Sequence, residues 1–127
     1  MPARILCVED NPQNMRLVRK MLNSAGYEVI EAVDGTSGLA AAHQMPDLIL
    51  MDVNLPDIDG LEVTTRIKAI PELAHISVIA LTANAMHGDR ERCLAAGCDG
   101  YIAKPVAKGV LLSTVGEFLN QPERKYA

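Results

Sequence analysis

The sequence predicts an α/β fold in which one parallel sheet is covered by helices on both faces. Three observations lead there. Strand-length apolar runs alternate with stretches of helical period, five times over. Two of the runs, Asp47 to Val53 and Ile76 to Leu81, are almost continuously apolar, which marks strands buried on both sides of a parallel sheet. The chain has 127 residues, enough for one core and too few for two.

Each element has a local reason. Ile5-Leu6-Cys7-Val8 is β-prone and ends at Glu9-Asp10. Asn11-Pro12 then offers a cap followed by proline in the first helical turn. Met15, Val18, Leu22 and Ala25 follow at helical spacing, with Gly26 as the stop. Tyr27 to Ala32 alternates at period two and reads as a strand with one wetter face. Asp34-Gly35 reads as a turn, and Leu39 to His43 as an Ala-rich helix ended by Pro46. After the third strand, Asn54 to Gly60 reads as a loop and Leu61 to Ile70 as a helix closed by Pro71. Gly88 to Ala96 reads as a helix stopped by Gly97, Gly100 to Ala103 as a short strand, and Val106 to Leu119 as the last helix. Gly109 and Gly116 lie inside that helix, each costing ~1 kcal/mol relative to Ala. Residues 1–120 form the expected domain, and 121–127 a polar tail expected to be disordered. There is no internal repeat, linker or low-complexity segment.

Composition narrows the function. Twelve Lys and Arg against sixteen Asp and Glu give a formal charge of −4, which argues against direct nucleic-acid binding. No apolar run reaches the ~18 residues of a membrane span, and the N-terminus does not resemble a secretory signal. With one Phe, three Tyr and no Trp, the core must be aliphatic. Cys7, Cys93 and Cys98 form neither a disulfide framework nor a zinc set, and free thiols fit a reducing cytoplasm.

Polar residues recur where apolar strands end: Glu9 and Asp10 after the first, Asp52 at the third, Thr82 at the fourth, Lys104 at the fifth. In a parallel sheet these ends share one edge, where ligands of open α/β sheets bind. Taken singly, each has a plain structural reading: a turn or cap Asp, a locally bonded Thr, a solvated Lys. Five together at one edge make a site. Three crowded carboxylates raise at least one pKa, and a divalent cation relieves the repulsion. An all-oxygen set with room for water suits Mg²⁺ better than zinc. One carboxylate can then act as a nucleophile. Lys104 and Thr82 supply a cation and a hydroxyl for phosphoryl oxygens, so the set holds the parts for phosphoryl transfer.

These residues resemble the receiver domains of two-component response regulators. The resemblance runs from about Arg4 to Leu119. It rests on Ile5 to Asn11, Asp47 to Pro56, Asp59-Gly60, Ala80-Leu81-Thr82-Ala83, and Gly97 through Lys104-Pro105. It implies a flavodoxin-like, three-layer fold with strand order 2-1-3-4-5 and five helices. It also implies that Asp52 accepts a phosphoryl group from a phosphohistidine on a sensor histidine kinase or phosphotransfer protein. Glu9 and Asp10 resemble the acidic pair that holds Mg²⁺ (with Mn²⁺ as a substitute), and Asn54 would add its backbone carbonyl beside Asp52. Glu9 stands where many members carry Asp, so whether it binds directly or through water is left open. Thr82 and Lys104 would meet phosphoryl oxygens. Tyr101 matches the aromatic switch position, filling the space that Thr82 leaves when it moves. Family members usually carry a cis Lys-Pro bond, which would aim Lys104 into the pocket. Asn54 and Asn84 would line the water path, and neither is a ready base, so phosphoryl hydrolysis should be no faster than moderate.

The resemblance further implies output through protein contacts on the helix 4–strand 5–helix 5 face, and donor docking on helix 1 near Asn14 and Leu17. The chain reads as a cytoplasmic signalling domain rather than an enzyme, limited to Mg-dependent autophosphorylation and slow autodephosphorylation. Met1 opening directly onto the first strand favours a free-standing regulator over a receiver cut from a hybrid kinase or multidomain regulator. A haloacid-dehalogenase-type phosphohydrolase would share the Asp, Mg²⁺, Thr and Lys, but it needs a second Asp where this chain has Asn54. A degenerate receiver that never takes phosphate would not need the complete acceptor set.

Overall fold

In the computed structural model, which describes residues 2–83, 88 and 90–119, the strands are β1 (Arg4–Val8), β2 (Glu28–Ala32), β3 (Leu48–Asp52), β4 (Ser77–Thr82) and β5 (Gly100–Ala103). The helices are α1 (Pro12–Ser24), α2 (Gly35–Ala42), α3 (Gly60–Ala69), α4 (Arg90–Ala96) and α5 (Lys108–Leu119). All strand pairs are parallel, in the order β2-β1-β3-β4-β5. The expected tail at 121–127, and Asn84, lie outside the described residues.

Side chains alternate across the sheet, so each central strand feeds two cores. Leu6, Val8, Ile49, Met51, Val78 and Ala80 pack with Ala41 and Ala42 of α2, Val63 and Ile67 of α3, and Cys93 of α4. Ile5, Cys7, Leu48, Leu50, Ile79 and Leu81 pack with Met15, Val18 and Leu22 of α1 and Leu111 and Val115 of α5. Every residue of β3 is buried, as its unbroken apolar run predicts.

The structure corrects three local expectations. β2 has no single wetter face: Val29 packs into one core and Ile30 into the other, while Glu28 and Glu31 are exposed. An edge strand is half-covered on both sides, and its alternation records that rather than one wet surface. α2 begins at Gly35, not Leu39. Asp34 is its N-cap, with the Asp34 side chain accepting from Ser37 N at 2.8 Å and Ser37 Oγ accepting from Asp34 N at 3.3 Å. That capping box starts the helix inside what reads locally as a turn. α5 begins at Lys108, two residues after the expected Val106; the helix expected from Gly88 is described as α4 from Arg90 to Ala96, and Asp89 lies outside the described residues.

Other signals act as read. Asn11 caps α1 by accepting from Gln13 N and Asn14 N at 2.9 and 3.1 Å, with Pro12 in the first turn. Gly26 and Gly97 end α1 and α4 with φ of 89° and 104°, backbone that side chains resist. At the sheet edge remote from Glu9 and Asp52, Lys68 of α3 donates to Ala74 O and Ile76 O and pairs with Asp99 Oδ2 at 2.9 Å. The same Asp99 oxygen accepts from Val78 N, so one ammonium ties α3 to the starts of β4 and β5. Cys7, Cys93 and Cys98 are buried free thiols. Burial pushes the Cys98 thiol up to about 12, so it behaves as core rather than nucleophile.

Candidate functional site

The carboxyl ends of β1, β3 and β5 bring three charged side chains together. Glu9 extends the β1–β2 ladder by one step, its N–H donating to Ala32 O at 2.9 Å, which holds it at the sheet edge with only 1% exposed. Asp52, the last residue of β3, is equally buried. Lys104 follows β5, its N–H donating to Thr82 O at 2.8 Å, and its peptide bond to Pro105 is cis. Its ammonium stands 3.0 Å from Glu9 Oε1 and 3.1 Å from Asp52 Oδ1. Ligand atoms of Glu9, Asp10 and Asp52 all lie within 4.8 Å of one another, with Asp10 on the exposed side.

The charges do not balance. Three carboxylates meet one ammonium. Burial, and then Asp52, holds the Glu9 carboxyl above the usual range. Burial works against the Lys104 charge, but Glu9 and Asp52 outweigh it and leave its pKa raised. Glu9 Oε2 accepts from Asn11 N at 3.1 Å. Glu9 Oε1 is, among the described residues, the buried side-chain oxygen with no aligned hydrogen bond; Lys104 faces it as an ion pair only. A surplus of negative charge with an underused buried oxygen fits a hard divalent cation.

The remaining predicted residues fall around this cluster. Asn54 is exposed, and its N–H donates to Asp52 Oδ1 at 3.0 Å, fixing the carboxylate's rotation. Thr82 is buried at the end of β4, one step past Leu81, the register partner of Asp52. Tyr101 stands apart, 36% exposed on edge strand β5 and in register with Ala80. Asn14 and Leu17 line a cavity of about 340 Å³ beside Glu9 and Lys104, together with Val18, Ala83, Pro105 and Val106.

Two features of the site escape sequence reasoning. A Cβ on Gly60 would lie 1.9 Å from the Asp52 carbonyl oxygen, so the backbone carrying Asp52 is packed against a glycine eight residues on. Asp57, read only as loop, accepts from Gly35 N and Thr36 N at 2.7 and 2.9 Å and from Thr36 Oγ1 at 2.6 Å. The Thr36 hydroxyl foremost, then those N–H groups, hold its carboxyl well below the usual carboxylate range. Its partners lie 21 and 22 residues away, beyond the reach of any local motif.

The response regulator receiver domain family matches residues 5–116. The chain belongs to the response regulator receiver family. This receiver is 46% identical over 120 residues to the polar-differentiation response regulator DivK of Brucella anthropi, covering 94% of this chain and 98% of that protein. Among solved structures it resembles the receiver domain of the sensor histidine kinase PA1611 from Pseudomonas aeruginosa, which has a magnesium ion coordinated in its active-site cleft. That likeness has a TM-score of 0.89 and 40% identity, over 95% of this chain and all of that one. It also resembles the chemotaxis protein CheY4 of Vibrio cholerae, with a TM-score of 0.87 and 29% identity over 93% and 99% of the two chains. The receiver is a signalling domain with the doubly wound fold and strand order of these neighbours. Among its described residues no helix is long and apolar enough to cross a membrane.

Proposed function

We propose that Asp52 is the phosphoacceptor of this receiver and that the cluster of Glu9, Asp10 and Asp52 holds the Mg²⁺ that transfer requires. The observation that carries this reading is the buried Asp52 carboxylate, held 3.1 Å from the Lys104 ammonium and oriented by Asn54 N–H, with two further carboxylates beside it. Glu9, Asp10, Asp52 and the Asn54 carbonyl are the groups that would hold the metal. Mg²⁺ supplies charge neutralisation between the acceptor carboxylate and the anionic phosphoryl group.

The chain's own residues do the rest. Asp52 attacks phosphorus in line as the bond from phosphorus to the donor imidazole nitrogen breaks, giving an acyl phosphate and a free histidine side chain. Lys104 exchanges part of its pairing with Asp52 and Glu9 for a phosphoryl oxygen, and Thr82 donates its hydroxyl to another. The donor is a phosphohistidine on a sensor kinase or phosphotransfer protein in the cytoplasm. The cavity lined by Asn14, Leu17, Pro105 and Val106 beside the site supports docking there. Movement of Thr82 toward the phosphate opens space for Tyr101, which carries the change to α4, β5 and α5. Exposed Leu94, Tyr101 and Val110, one on each of those elements, support that surface as the one a downstream protein reads.

The test is mass spectrometry after incubation with Mg²⁺ and acetyl phosphate. One phosphoryl adduct should form and be absent in Asp52→Asn or with chelator. Asn54 carries no ready base, so the adduct should outlast a few seconds. No adduct with any phosphodonor would refute the reading.

A further inference from the structure

The loop between β3 and α3 carries Asn54, the residue whose carbonyl completes the metal set in the reading above, and the following inference rests on that reading. The loop has few internal bonds. Gly60 N donates to Val53 O at 2.9 Å and closes its base. Leu55 and Ile58 are half-buried against the core. At its far side stands Asp57, exposed to solvent yet bonded four times. Oδ1 accepts from Gly35 N at 2.7 Å and from Ile58 N at 2.8 Å. Oδ2 accepts from Thr36 N at 2.9 Å and from Thr36 Oγ1 at 2.6 Å. A second, independent observation is steric. A Cβ on Gly35 would meet Val63 Cγ2 at 2.9 Å, Ile58 Cβ at 3.1 Å and Asp57 Oδ1 at 3.2 Å. The first turn of α2 and the loop are thus in direct contact, with a glycine where a side chain would crowd Val63, Ile58 and Asp57.

An exposed carboxylate normally spends its freedom in water, and a surface contact of this kind adds little stability. Asp57 differs because its two oxygens add hydrogen bonds to an apolar contact between two elements: the free N–H groups at the start of α2 and a loop three residues from Asn54. We propose that Asp57 is a positioning residue for the metal site, clamping the β3–α3 loop onto α2 so that the Asn54 backbone is held ready for Mg²⁺. Metal sites depend on such outer partners, whose loss typically costs about 10–100-fold in affinity.

The test is calorimetric titration of the full chain with MgCl₂ at neutral pH, at a temperature where circular dichroism shows every variant folded. Asp57→Ala should raise the Mg²⁺ Kd about tenfold. Thr36→Ala, which removes one of the bonds, should raise it less. Ser37→Ala is the control: it weakens the capping box of the same helix and leaves the Asp57 contacts in place. It should lower the thermal midpoint and leave the Kd unchanged. If Asp57→Ala binds Mg²⁺ as the wild type does, or if Ser37→Ala weakens binding equally, Asp57 only stabilises α2 and the proposal falls. If the wild type binds no Mg²⁺, the metal reading of the site falls with it. An Asp57→Ala chain that does not fold is replaced by Asp57→Asn, which keeps an acceptor toward Gly35 while its amide cannot accept from Thr36. That variant should still weaken binding, and an unchanged Kd would overturn the proposal.

Discussion

Gly60 shows how tightly Asp52, the proposed acceptor, is held at the level of a single residue. The Asp52 carbonyl oxygen occupies the space a side chain at position 60 would need, 1.9 Å from the ideal Cβ. Backbone cannot yield as a flexible side chain can, so Gly60→Ala must move either the start of α3 or the Asp52–Val53 peptide. Overpacking of this kind costs about 1–3 kcal/mol or more, and urea unfolding should show a loss of that size. Because the displaced peptide carries the proposed acceptor, the rate of adduct formation with acetyl phosphate should also fall while the variant is still folded. Normal stability would mean that the loop has slack. Asp59-Gly60 is legible in the sequence as a loop end and helix start. That the glycine answers to Asp52 is not, since the two meet only when β3 and α3 pack.

Among the elements, Lys68 shows what holds the sheet edge opposite the site. Its ammonium has three oxygen partners and is about four-fifths buried, as is Asp99. Lys68→Met keeps the stem and removes the charge, leaving the Ala74 and Ile76 carbonyls without this donor and the Asp99 carboxylate without this ammonium, while Val78 N–H still bonds Asp99. Breaking a buried pair on one side costs about 3–5 kcal/mol, and this partly exposed one should cost toward ~2–3 kcal/mol in denaturant unfolding. Mg²⁺ affinity should not change, because the break lies at the far end of the strands. A parallel shift in Mg²⁺ affinity would show the two edges to be coupled. The helices themselves were largely readable from caps and stops at Asn11, Gly26 and Gly97. The start of α2 was not, because Asp34-Gly35 is as good a turn as a helix entry until Ser37 and Asp57 supply its hydrogen bonds.

Over the whole molecule, the crowded carboxylates link stability to pH and to metal. The folded state holds the Glu9 carboxyl above its usual range, so it binds a proton that the unfolded chain has released. This contribution to stability is fully present below about pH 4.3, the ordinary Glu value, and is lost as pH rises through the raised folded value. With chelator, the wild type should therefore lose stability relative to Glu9→Gln as pH rises from acid toward neutral. Mg²⁺ should reverse that loss, adding about 2.7 kcal/mol at a hundred times its Kd. Thermal melts at several pH values with and without MgCl₂ read both effects. Parallel pH profiles for wild type and Glu9→Gln would show that Glu9 is not under this strain. Asp10→Asn should lose most of the Mg²⁺ shift.

By itself the sequence determined the fold class, the strand count and which residues end each strand. Those follow from local periodicity, capping chemistry and the nearly continuous apolar runs of β3 and β4, all of which act over a few residues. It also named Glu9, Asp10, Asp52, Thr82 and Lys104 as residues of one edge, because a parallel sheet places every strand end there. Only the tertiary structure decided the distances: that Lys104 bridges Glu9 and Asp52, that Glu9 Oε1 is left underused, and that Tyr101 stands away from the cluster on β5. It alone joined Asp57 to α2 and Gly60 to Asp52. Such contacts depend on how helices seat against the sheet, and that seating is set by the summed packing of two cores rather than by any local pattern.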